Sequence, residues 1–103
     1  MPDPDVEGGL LGLSDGAVAF SNPSSATSRA NMTLFVGRRG GGGIAWGPAL
    51  ALGADPARAA GYSSIFETDD GRLGVLWETS PDDPSATNCT GGYCQIALSM
   101  VAR

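Results

Sequence analysis

Any catalysis in this chain has to run on Tyr, Glu, Asp and Arg side chains. The sequence contains no His, which removes Ser-His-Asp and Cys-His arrangements and leaves Cys89 and Cys94 without His partners for a zinc site. All six basic residues are Arg and the formal net charge is −5. That balance argues against a nucleic-acid surface, which needs clustered positive charge. The single adjacent basic pair, Arg38-Arg39, borders the glycine run at 40–43 and reads as a solvated hairpin tip. Neither a metal nor a cofactor is implied.

These side chains must be placed by short strands. Gly at 16 and Pro at 7 are both abundant among 103 residues, which favours turns over long helices. Hydrophobic residues make up 42%, enough for a core, and the length suits one domain or a piece of a larger one. Strand patterns run over residues 16–21 (GAVAFS, ending at the breaker pair Asn22-Pro23), 31–38 (NMTLFVGR) and 95–101 (QIALSMV). Residues 62–68 (YSSIFET) and 72–79 (RLGVLWET), joined by Asp69-Asp70-Gly71, predict a β-hairpin. Residues 56–60 and 80–92 read as loops. No stretch approaches the ~20 apolar residues of a membrane-spanning helix. The strands fall into two groups of about 40–50 residues, the size of a propeller blade. Two blades fall short of the roughly four to eight that close a propeller, so periodicity alone predicts an all-β antiparallel fold, either whole or a fragment.

Three motifs resemble the sialidase (neuraminidase) family. They are Arg29-Ala30-Asn31-Met32-Thr33-Leu34, Gly61-Tyr62-Ser63-Ser64, and Leu76-Trp77-Glu78 after Asp70-Gly71-Arg72. The resemblance runs from about residue 14 to 101 and is closest to exo-sialidases of the lysosomal and bacterial type. It implies the last two blades of a six-bladed propeller, with residues 10–55 as the penultimate blade and 60–102 as the last. Tyr62 then matches the catalytic tyrosine. Arg29 matches one arginine of a trio that grips the substrate carboxylate, for which a guanidinium offers a planar fork of donors. Glu78 matches a glutamate that braces another arginine of the trio. The bland alternatives are a core tyrosine, a loop arginine and a strand-end glutamate. Glu67, which also ends a strand but lies in no motif, reads as a solvated hairpin residue.

The residue types suit the substrate that the resemblance implies. Sialic acid carries a carboxylate on its anomeric carbon, so a carboxylate nucleophile meets charge repulsion there. A tyrosine hydroxyl stays neutral until a base takes its proton; Tyr nucleophiles in sialidases are a known exception among glycosidases. The implied activity is retaining release of terminal sialic acids from glycoproteins, gangliosides or oligosaccharides, with no cofactor. The family's acid/base aspartate, its tyrosine-activating glutamate and two arginines have no counterpart here. The isolated chain is therefore expected to be inactive without the rest of the propeller. Rival readings are a non-catalytic carbohydrate-binding piece, a trans-sialidase, and a structural β-domain. Arg29, Tyr62 and Glu78 lying more than ~15 Å apart would favour the last, since one sugar site cannot span that distance.

Two features point to a lysosomal or secreted protein. Asn31-Met32-Thr33 and Asn88-Cys89-Thr90 match the N-glycosylation sequon. Cys89 and Cys94 could close a small disulfide loop or remain a free thiol pair. The start Met1-Pro2-Asp3 is wrong for a signal peptide, which a missing upstream segment would explain.

Overall fold

The computed structural model describes residues 8–25, 28–53, 59–80 and 95–103. They form an all-β structure of two antiparallel sheets. The first contains β1 (Gly9–Gly12), β2 (Ala17–Pro23), β3 (Met32–Gly40) and β4 (Gly43–Trp46) in that order, with β5 (Leu50–Ala51) pairing the start of β3. The second contains β6 (Ala60–Glu67), β7 (Leu73–Thr79) and β8 (Gln95–Val101). Two such sheets are consistent with propeller blades.

Turn chemistry joins the strands. Between β1 and β2, Gly16 takes φ +88°, where a side chain is strained. The Asp15 carboxylate accepts the Ala17 N–H at 3.0 Å, the local bond that makes Asp a turn residue. Between β6 and β7, Gly71 has φ +84°, and the Thr68 N–H donates to the Arg72 carbonyl at 2.9 Å. The glycine run at 40–43 supplies the β3–β4 hairpin, with Gly40 and Gly43 paired.

Register decides which side chains meet. Ser21–Leu34, Ala19–Val36 and Ala17–Arg38 are partners across β2 and β3, and Leu34 pairs with Leu50. Leu73, Val75 and Trp77 on β7 pair with Val101, Ser99 and Ala97 on β8. The inner faces meet there, burying Ala19, Met32, Leu34, Leu73, Val75 and Trp77 in one core. Period-two alternation puts successive residues on opposite faces, and the buried indole satisfies its N–H by donating to the Ser99 hydroxyl at 3.1 Å. Contact is closest where β1 and β2 face β6.

Both outer faces are apolar too. On the first sheet Phe20, Phe35 and Trp46 cluster with ring centroids 6.2–6.4 Å apart. On the second sheet Phe66, Leu76, Ile96, Leu98 and Met100 are exposed. Gly74 lies under the Phe66 ring, where any added Cβ would collide.

Several sequence expectations shift here. The strand through 16–21 does not stop at Asn22-Pro23, because Pro23 pairs with Met32 at the end of the ladder. β1 and β5 were not visible as strands, being only 4 and 2 residues long. Glu67 is no solvated hairpin residue. Its carboxylate accepts the Ser14 N–H at 3.0 Å and the Ser14 hydroxyl at 2.9 Å, with its side chain only 18% exposed. The strand end meets the turn of the other sheet, a neighbour 53 residues away in sequence.

Candidate functional site

The site begins with a bulge. In β6 the pairing with β7 shifts register between Ala60 and Ser63, so Gly61 and Tyr62 have no partner residue across the ladder. A bulge leaves backbone groups unpaired and re-aims a side chain. Here the orphaned Tyr62 N–H donates to Oε1 of Glu78 at 2.9 Å. Glu78 can reach it because it stands near the end of β7, the strand alongside. Tyr62 as a whole is 48% exposed.

Arg29 arrives from the other sheet, in the connection between β2 and β3. Its carbonyl accepts the Ala60 N–H at 2.8 Å, and the adjoining Ala30 forms a bridge with Ala59. The Thr79 hydroxyl in turn donates to the Ala59 carbonyl at 2.7 Å. This backbone clasp brings the guanidinium carbon to 6.0 Å from the centroid of the Tyr62 ring, within cation–π range.

The connection that carries Arg29 is shaped by Asn31. It holds φ 63°, a left-handed conformation that Asn tolerates better than most residues. Its carbonyl accepts the Ser24 N–H at 2.8 Å and the Thr33 hydroxyl at 2.8 Å, and its own amide donates to the Ser24 carbonyl at 3.4 Å. Just below Tyr62, the Ser63 and Ser21 hydroxyls share a hydrogen bond of 2.7 Å that ties β6 to β2.

Arg29, Tyr62 and Glu78 thus come from three separate segments and meet at one edge of the two-sheet structure. Beside them lies a shallow depression of about 200 Å³, walled by Tyr62, Ser64, Leu76, Glu78 and Ile96. An exposed phenol flanked by a guanidinium and by a carboxylate held on its backbone can meet an anionic ligand. Of the remaining candidates, Asn31 is half-buried just ahead of β3, while Asn88, Cys89 and Cys94 lie outside the described residues.

Over 61 residues the chain is 34% identical to a sialidase of Bacteroides fragilis. This is a partial likeness. It covers 59% of this chain and 11% of that protein's length, so the chain spans about a tenth of the relative. No protein-family profile matches the chain. No solved structure matches it either.

Sequence reasoning missed the Ser21–Ser63 link and the clasp at Ala59 and Ala60. The only signal for the clasp was Ala60 directly ahead of the Gly61-Tyr62 element. Among the described residues no group of three or more His, Cys, Asp or Glu side chains could hold a metal ion.

Proposed function

We propose that this chain is part of an exo-α-sialidase, in which Tyr62 is the nucleophile, Arg29 a clamp on the substrate carboxylate and Glu78 a bracing residue. One observation supports the reading: of the residues singled out as separate motifs, Arg29 lies 6.0 Å from the Tyr62 ring and Glu78 accepts the Tyr62 N–H. The partial likeness to a protein named a sialidase supports the same reaction class.

In this scheme a base takes the phenolic proton of Tyr62 and the phenolate oxygen attacks the anomeric carbon. The bond to the leaving oxygen breaks as an acid protonates it, and water then releases the sugar from the glycosyl-tyrosine. Both the base and the acid come from outside these residues, as part of a longer polypeptide. One oxygen of Glu78 positions Tyr62 through its amide. The other is left to orient a second guanidinium from that polypeptide, a supporting role that fixes geometry before substrate arrives. Terminal sialic acids of glycoproteins, gangliosides or oligosaccharides would be the substrates, in a lysosomal or extracellular setting.

The test is hydrolysis of a fluorogenic sialoside by the longer polypeptide that carries this segment. Tyr62→Phe should abolish turnover, and a 3-fluorosialosyl fluoride should label the peptide containing Tyr62. Labelling elsewhere, with full activity in the Phe variant, would remove Tyr62 from the mechanism. The 103-residue chain by itself should show no turnover.

A further inference from the structure

A second cavity lies away from Tyr62. It has a volume of about 550 Å³, within the range of small-molecule sites. It opens where the sheets part, with β3 and β5 on one side and the ends of β7 and β8 on the other. Leu34 and Leu73 form a floor that is almost fully buried, and half-buried Val36 and Val101 form the walls. Leu50 stands at the mouth, 45% exposed, although its register places it on the inner face opposite Leu34. Glu78 lies five residues along β7 from Leu73, about 17 Å at strand rise, and no residue of the cavity belongs to the Tyr62 site.

The polar part of the lining is one-sided. Two guanidinium groups, Arg38 and Arg103, line it with one carboxylate, Asp15, and Arg103 also lies 3.8 Å from the Glu67 carboxylate. The Asp15 carboxylate is already engaged by its own turn through the Ala17 N–H and by Arg103 at 2.9 Å. Arg38 is held more loosely. It reaches Asp15 through one nitrogen at 3.3 Å, and its side chain is 67% exposed, which leaves most of its donor fork facing the mouth. An apolar trough ending on an unsaturated guanidinium is complementary to a molecule with an alkyl body and one anionic, planar head.

We propose that this cavity binds a small amphiphilic carboxylate, its alkyl chain against Val36 and Val101 and its head on Arg38. Such a site is independent of the sialidase reading, and either can fail without the other. A carboxylate fits better than a larger dianion, because Arg38 is the guanidinium of the lining left mostly exposed, while Arg103 is shared between Asp15 and Glu67.

The experiment is titration of the full chain with decanoate, decyltrimethylammonium and decanol, read by calorimetry and by NMR. Decanoate should bind saturably at one site, with intermolecular NOEs from its methylenes to the methyl groups of Val36 and Val101. The ammonium and the alcohol should bind at least about tenfold more weakly, as the loss of one charge-assisted contact predicts. Arg38→Glu and Leu50→Glu change exposed residues, so the fold should persist. Each should weaken decanoate binding by about tenfold or more. Leu98→Ser, on the exposed outer face of the second sheet, should leave it unchanged. Equal binding of all three probes, absence of NOEs to Val36 and Val101, or sensitivity to Leu98→Ser in place of Arg38→Glu would each overturn the proposal. The NOE measurement on the unaltered chain decides the matter even if a variant fails to fold.

Discussion

The Glu78 carboxylate holds the backbone of Tyr62, accepting its N–H at 2.9 Å. A bulge would otherwise leave this amide without a partner, and an unpaired backbone donor is costly away from water. The glutamate therefore converts an irregular stretch of β6 into a defined platform for the phenol.

Glu78→Ala should free that amide. Hydrogen exchange at Tyr62 should accelerate by on the order of tenfold, as expected for losing one charge-assisted hydrogen bond. Glu78→Gln retains an acceptor oxygen and should stay close to the unaltered rate. Amide-resolved NMR exchange measures both, and equal protection in the Ala variant would show that the contact does not order the bulge.

Leu73→Ala should destabilise the chain by about 2–5 kcal/mol. Leu73 is completely buried between the sheets, and its removal leaves a void that strand backbones cannot close. Urea unfolding monitored by tryptophan fluorescence gives the value, since Trp77 lies in the same core.

Gly74→Ala should cost about 1–3 kcal/mol, the usual range for overpacking. The new methyl group would strike the Phe66 ring, which lies directly over the glycine. Adding Phe66→Ala should recover part of that loss, so the double variant should be more stable than the sum of the single effects predicts.

Acid should weaken the link between the sheets at Asp15. The Ala17 N–H, and after it the Arg103 guanidinium, hold the Asp15 carboxyl below its ordinary range. A carboxyl lowered in the folded state stabilises the fold above its unfolded pKa, and that contribution disappears as pH falls through the folded value. Melting temperature should therefore drop as pH falls below about 4. Asp15→Asn should flatten this acid limb, and an unchanged pH profile would show that Asp15 contributes nothing to it.

The legible parts of this fold are those whose signals are local. The alternation in 95–101 coincides with β8, and Asp69-Asp70-Gly71 marks the turn between β6 and β7. β1 was hidden because Gly9-Leu10-Leu11-Gly12 has no alternation of its own and is defined by its pairing with β2. Pro23 reads as a breaker only when its position at the end of the ladder is unknown. Glu67 shows the same limit for a charged group, since its partner Ser14 belongs to the other sheet. At the candidate site, motif order singled out Arg29, Tyr62 and Glu78. The amide link from Glu78 depends on a register shift that composition does not encode.

Arg29 lies in the connection between β2 and β3 and Tyr62 in β6, joined near the site by the Ala60–Arg29 backbone bond. Their spacing is therefore sensitive to how the two sheets are set against each other. With sheets stacked about 10 Å apart, a relative rotation of about 5° displaces one side by nearly 1 Å, enough to impair a reacting geometry severely. Small-to-large changes at Ala17 or Ala19, in the packing between the sheets, would act as adjusting screws on a site they never touch. Drift in this sequence should be most constrained at such small buried positions, where a single methyl group sets the tilt.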